Sequence, residues 1–282
     1  MSSRRDFFRN AATGALGAYA LPFYGARRLG SASGAATAIK LGVASYSLRK
    51  FPRAQAIAMM QELGITNINI KSFHLEQELS ADDVKAGRKE FENAGLHIVG
   101  GGNITIHEDT DDYVRSVFEY AKHAGFPLIV CAPKPEIVPR IERFVKEYNI
   151  KAAIHNHGPE DSYFPGPADV IAVVKNMDPR VGCCVDVGHT ARTGVDVVEA
   201  IKEAGPRVLD MHVKDLGDLS ERDSQVAVGE GKMPIVGIFK QLMAMNYQGY
   251  VNLEYEIFAD DPMPGMKQSF SYMRGVIDAL SA

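Results

Sequence analysis

Three cysteines in 282 residues are too few for a disulfide framework, and two of them, Cys183 and Cys184, are adjacent inside an apolar run. That position suits small hydrophobes in a core. A basic excess is also missing. The formal net charge is −4 and the one dense arginine cluster lies at the amino terminus, so nothing points to nucleic acid. No GxGxxG follows the first strand-like run; the glycines at 100–102 lead instead into Asn103 and a polar loop, which argues against a dinucleotide site. Beyond Lys40 there is neither a linker nor a low-complexity tract. A chain of this length with 46 % hydrophobic residues suits one large or two small globular domains.

The amino terminus stands apart from the rest. Ser3-Arg4-Arg5-Asp6-Phe7-Phe8 precedes a weakly apolar run from Ala11 to Ala26, and Ala36-Thr37-Ala38 offers a small-residue cleavage site. The pattern resembles a twin-arginine export signal, whose passengers cross the inner membrane already folded. The apolar run is too short and too rich in glycine and alanine for a stable membrane span. Residues 1–38 are therefore expected to be a signal peptide and 39–282 a single domain delivered to the periplasm.

From Lys40 onward strands and helices alternate with little filler. Strand-like runs are expected at Leu41–Ser47, Asn67–Lys71, from His97, at Leu128–Ala132 and at Lys151–His155. Helices are expected at Arg53–Leu63, Ala81–Ala94, Asp112–Ala124, Glu136–Tyr148 and Ala168–Met177, with Gly64, Gly95 and Gly125 as stops. Three more strands follow, Val181-Gly-Cys-Cys-Val-Asp186, Val208-Leu-Asp-Met-His-Val-Lys-Asp215 and Tyr250-Val-Asn-Leu-Glu-Tyr-Glu256, with helices at Val195–Ala204, Pro234–Met245 and Met266–Leu280. Eight strand–helix units in about 240 residues predict a single (β/α)₈ TIM barrel of the α/β class. An open doubly wound sheet shows the same alternation. The count of eight, and polar residues at many strand ends rather than at one crossover, favour the barrel.

The last three strands share a feature. Each is a run of β-branched and aliphatic residues that ends in groups able to hold a metal: Asp186 and His189, then His212, Lys214 and Asp215, then Glu254 and Glu256. Buried ionisable groups are costly unless paired or metal-bound, so three successive strand ends of this kind predict one shared site at the carboxyl face of the barrel. Residues two apart share a strand face. That pairs His212 with Lys214, Glu254 with Glu256, and His155 with His157 if the strand runs that far. His189 has different parity from Asp186 and is expected where the strand has turned.

With D-x-G-H at Asp186–His189, H-x-K-D at His212–Asp215, Glu254, and Gly229-Glu-Gly231 between them, the chain resembles the xylose isomerase-like barrels. These are also called the sugar phosphate isomerase/epimerase or AP endonuclease 2 superfamily. The resemblance covers about residues 40–280 and implies one divalent cation, held by Asp186, His212 and Glu254. Where the family has a glutamate on strand five, this chain has His155 in Ile154-His-Asn-His157. With His155 as fourth ligand, ahead of His157, a mixed oxygen and nitrogen set suits Mn²⁺ above all, or Co²⁺, Fe²⁺ or Zn²⁺.

The same departure bears on chemistry. Family epimerases use the glutamates of strands five and eight as paired bases, and one is missing here. What remains implies proton abstraction beside the carbonyl of an unphosphorylated sugar or 3-keto-glycoside, followed by elimination; an isomerase or epimerase is the alternative. His189, His157, Glu256 and Lys71 are the candidate acids and bases, and Lys214 or Lys71 the cation for a developing enolate. His74, Asn103 and Asp215 are candidate substrate contacts. A nuclease on this fold would need more histidine and glutamate ligands and a basic groove. A non-catalytic exported sugar-binding protein would need no metal-grade polar set. The expected partner is a small sugar, and homo-oligomerisation is left open.

Overall fold

The structure, a computed structural model, describes residues 39–282. The expected twin-arginine signal and its expected cleavage site lie outside the described residues. The strands are β1 (Leu41–Ala44), β2 (Asn67–Ile70), β3 (His97–Ile106), β4 (Leu128–Pro133), β5 (Lys151–His155), β6 (Val181–Asp186), β7 (Val208–Val213), β8 (Asp215–Leu216), β9 (Gln225–Val226) and β10 (Val251–Leu253). All but β8 and β9 form a closed parallel barrel in which β10 lies between β7 and β1, as a (β/α)₈ TIM barrel requires. β8 and β9 are a small antiparallel hairpin above β7.

The outer ring consists of α1 (Arg53–Leu63), α2 (Ala81–Asn93), α3 (Asp111–Ala124), α4 (Val138–Tyr148), α5 (Pro167–Val174), α7 (Val197–Ala204), α8 (Ile235–Ala244) and α9 (Met263–Ser281), with a short α6 (Val187–Arg192) directly after β6. Local chemistry sets their limits. Ser80, Thr110 and Asp196 accept backbone N–H groups at the starts of α2, α3 and α7. Gly64 and Gly125 end α1 and α3 at φ of 63° and 72°, a conformation that disfavours a side chain.

Of the boundaries that differ from the sequence expectation, three bear on the site. β1 stops at Ala44, because Ser45 and Ser47 turn inward: Ser45 Oγ accepts the Lys71 N–H (2.7 Å) and Ser47 Oγ accepts that of Tyr255 (2.8 Å). β10 is only three residues long, so Glu254 and Glu256 lie just past its end. α6 was expected as loop. It forms because the Asp186 carboxylate accepts the His189 N–H (2.8 Å) and caps it.

The main core lies between barrel and helices and includes the fully buried rings of Phe91, Phe118, Phe144, Phe239 and Phe270. Inside the barrel, Leu128, Val130, Ala153 and Cys184 make a small apolar plug. Beside it the buried Asp210 carboxylate accepts from Asn69 Nδ2 (3.1 Å) and Asn252 Nδ2 (2.8 Å). Burial pushes the Asp210 carboxyl up to about 7, against the pull of His212 and of these donors.

Packing is close at Gly101 in β3, where a Cβ would lie 2.0 Å from the Phe126 ring. Phe126 is itself buried and packs edge-on against Tyr120, so it has little room to move. Gly101→Ala should cost about 1–3 kcal/mol through overpacking, read as a lower urea midpoint with an unchanged slope. An unaltered midpoint would show that the ring yields freely.

Candidate active site

A cavity of about 610 Å³ opens at the carboxyl ends of the barrel strands. His155 ends β5, Asp186 ends β6 and His212 lies in β7, where the parallel register sets Asp186 directly beside His212. On the other side of His212, β10 brings Glu254 alongside. His155, Asp186, His212 and Glu254 are all buried, and a ligand atom of each lies within 4.8 Å of the others. His155 Nε2 faces His212 Nδ1 at 3.0 Å and Asp186 Oδ2 at 3.6 Å, and His212 Nδ1 lies 3.3 Å from Glu254 Oε2.

The donor set fits a divalent cation. Two imidazoles and two carboxylates, all buried, converge on one point, a mixed nitrogen and oxygen set of the kind that holds such ions. Burial holds the His155 imidazole down to about 3, which keeps its lone pair free for a metal. Burial opposes ionisation of Asp186 and Glu254 too, but His189 and Lys214 beside the first, and His212 and Lys214 beside the second, hold both carboxyls well below their ordinary range. Cys184 Sγ also lies near His155 and His212. Burial and the nearby Asp210 push its thiol far up, so it stays protonated and is a poor ligand.

Lys214 is the fixed cation of the site. Its ammonium, 3 % exposed, lies 3.0 Å from Asp186 Oδ2, 2.9 Å from Glu254 Oε2 and 2.7 Å from Glu256 Oε2. Burial alone would lower its pKa, yet these three carboxylates raise it well above the usual lysine value. Gly188 makes room for its stem: a Cβ there would sit 2.7 Å from Lys214 Cδ, which gives the glycine of D-x-G-H a steric reason.

Above the ligands the cavity wall carries two histidines. His157 stands with its ring 4.4 Å from that of His155 although β5 has ended. Its Nε2 accepts from Asn103 Nδ2 (2.8 Å), which leaves the ring proton on Nδ1, 3.3 Å from the Asp161 carboxylate. His189, on α6, accepts from Arg192 at Nδ1 (3.3 Å), so its neutral ring carries the proton on Nε2. The two rings are 5.8 Å apart on the same wall. Lys71 donates to the Asn103 carbonyl (2.5 Å), and burial lowers its pKa against the pull of Glu254.

The structure thus brings ten of the twelve sequence candidates to one place. The other two are committed elsewhere. His74 meets Ser45 Oγ (3.0 Å) and the carbonyls of Leu48 (3.2 Å) and Phe51 (3.1 Å), tying β2 to the turn after β1. Asp215 accepts the N–H groups of Leu216, Gly229, Gly231 and Met233 and so pins the loop that includes Gly229-Glu-Gly231. Asp161 and Arg192 escaped the sequence reading. Their only signal is spacing, four residues after His157 and three after His189.

The description of the xylose isomerase-like TIM barrel family matches residues 57–276. The chain belongs to that family. An uncharacterised Mycobacterium tuberculosis protein is 30 % identical over 94 residues, 32 % of this chain and 33 % of the relative, so the chain spans about a third of the length of the curated relatives it matches. Among solved structures, D-psicose 3-epimerase of Clostridium cellulolyticum superposes with a TM-score of 0.70 at 14 % identity, covering 85 % of this chain and 99 % of that one. A probable 3-DHS dehydratase of Bacillus anthracis gives 0.69 at 12 % identity over 84 % and 99 %. The 3-keto-D-glucoside 4-epimerase of E. coli gives 0.66 at 17 % over the same shares, 84 % and 99 %. At these identities the likeness is one of fold.

Within this xylose isomerase-like barrel, buried ionisable groups have two measurable consequences. Lys214→Ala leaves Asp186, Glu254 and Glu256 facing one another, and the chelator-treated protein should lose about 3–5 kcal/mol. Added Mn²⁺ should restore part of that loss. Thermal melts with chelator or with Mn²⁺ check it, and a chelator-treated variant as stable as its parent would refute the balance.

The second concerns pH. Burial holds the His74 pKa down, against the Leu48 and Phe51 carbonyls. Folded His74 therefore stays neutral where unfolded histidine, at about 6.5, takes a proton. Its contribution is complete above that pH and is lost below it, at up to ~1.4 kcal/mol per pH unit. From about pH 7.5 to about pH 5.5, the parent should lose more stability than His74→Asn. Parallel urea midpoints for the two proteins would contradict this.

Proposed function

We propose that this chain is a divalent-metal-dependent enzyme that removes the proton next to the carbonyl of an unphosphorylated keto-sugar or 3-keto-glycoside and then eliminates a leaving group. The observation that carries it is the one-sided arrangement of acid–base groups over the four-ligand cluster: His157 with its Asp161 partner, and His189 beside it. A cation held by His155, Asp186, His212 and Glu254 would polarise the carbonyl, worth several kcal/mol in such sites. The mixed donor set supports Mn²⁺ as the ion, and suits Co²⁺, Fe²⁺ or Zn²⁺ as well.

His157 is the base in this reading. Asp161 holds Nδ1–H, and the Nε2 lone pair, which here accepts from Asn103 Nδ2, is the one that takes the proton once substrate displaces that amide. The C–H pair becomes the new C=C bond as the β C–O bond breaks, and the proton on His157 passes to the departing oxygen. His189 Nε2–H donates a hydrogen bond to that oxygen, and the Lys71 or Lys214 ammonium steadies the enolate. Inverting a carbon would instead need a second acid on the opposite face. The carboxylates nearest to hand, Glu254 and Glu256, are both paired with Lys214. An unphosphorylated substrate is supported by Gly229 and Gly231, whose N–H groups serve Asp215 rather than an outside anion. The Arg4-Arg5 signal adds the proposal that the enzyme works in the periplasm.

Incubating Mn²⁺-loaded protein with a 3-keto-glucoside in D₂O tests this reading. An unsaturated keto-sugar and released aglycone are expected, with kcat for His157→Ala lower by about 10²–10⁴. Deuterium uptake with recovery of only an isomeric sugar would make it an isomerase or epimerase instead.

A further inference from the structure

A second cavity, of about 630 Å³, adjoins the first at the ends of β2 and β3. The two share Arg49, Lys71 and Asn103 as a common wall. That wall is braced. Arg49 donates to the carbonyls of Tyr46 (3.2 Å) and Glu256 (2.6 Å) with its guanidinium over the Tyr46 ring, and Lys71 holds the Asn103 carbonyl. Tyr46 lines the first cavity and Phe73 the second, with ring centroids 5.8 Å apart. Phe73 is 47 % exposed although it is a large hydrophobe. Around it Ser72, Glu76, Gln77, Glu78 and Thr105 supply hydrogen-bonding groups.

We propose that the second cavity is the subsite for a leaving sugar ring, so that the substrate is a disaccharide with its oxidised ring over the ligand cluster and its second ring on Phe73. This rests on the keto-glycoside reading above. Each cavity falls in the range of roughly 300–1,000 Å³ for a small-molecule site, and a single monosaccharide accounts for only one of them. An apolar ring face set among polar groups matches a pyranose, which has apolar C–H faces and a hydroxyl rim. The common wall also lies where cleavage is required, because Asn103 in it contacts His157 Nε2. In the cleavage step the C2 proton goes to His157, C1=C2 forms, and the C1–O pair stays with the second sugar. That sugar takes the proton from His157 and departs through the second cavity. Contacts to a remote ring raise turnover when they hold the reacting bond in place.

The test compares Mn²⁺-loaded parent, Phe73→Ala and Ser72→Trp on a 3-keto-disaccharide and on methyl 3-keto-glucoside. The ratio of their kcat/KM values should favour the disaccharide in the parent and fall about tenfold in both variants, ~1.4 kcal/mol. Saturation-transfer NMR with unoxidised cellobiose supplies a readout free of chemistry: the second ring should receive saturation from the parent and lose it with Phe73→Ala. If neither keto-substrate reacts but that saturation is lost in the variant, the reaction falls and the subsite stands. If both react while the ratio and the saturation pattern are the same in all three proteins, the subsite falls and the reaction stands.

Discussion

Three carboxylates around one buried ammonium are what the upper half of this barrel is built on. Asp186 ends β6 and Glu254 follows the end of β10, with only β7 between the two strands, so parallel closure forces them together at the floor of a cavity. Unpaired, they would repel each other in a poorly solvated place and one would take up a proton. Lys214 prevents that by reaching both, with Glu256 as its third partner. The other residues of the floor are arranged around this: Gly188 clears a path for the lysine stem, and Asp186 caps α6 and so holds His189 at the rim. Histidines 155 and 212 add nitrogen lone pairs to the same point, which turns a charge-balanced cluster into one that can accept a cation.

A second polar layer lies below. Asp210 sits two residues before His212 on the same strand face and is held by two asparagine amides beside an apolar plug. Little solvent reaches it there, and that burial raises its carboxyl to about 7. The contrast with Asp186, held low a few residues away in space, comes from partners. Amides can hydrogen-bond a carboxylate, but only an ammonium supplies compensating charge.

Protonation states on the rim are set by neighbours of the same kind. Asn103 and Asp161 fix the tautomer of His157, and Arg192 fixes that of His189. His157 is left accepting at Nε2, whereas His189 carries an N–H there. That division of labour between two otherwise similar histidines underlies the functional proposal.

Much of this was legible from the chain alone. The alternation of short apolar runs with amphipathic stretches is local, so the eight-stranded barrel and its helices could be read with small errors at their ends. The four candidate ligands were legible because ionisable residues at the ends of buried strands violate the local pattern, and parallel strands in a barrel send all such ends to one face. What sequence could not decide was which polar residues serve the site and which serve the backbone. His74 and Asp215 have the same composition and strand-end position as true cavity residues, yet their bonds go to carbonyls and N–H groups contributed by segments up to 26 positions away. Asp161, Arg192 and the aromatic pair Tyr46 and Phe73 acquire meaning only when loops from different strands meet. Pattern along the chain determines which face a side chain takes; its hydrogen-bond partner is determined by distance in space, and only closure of the barrel sets that distance.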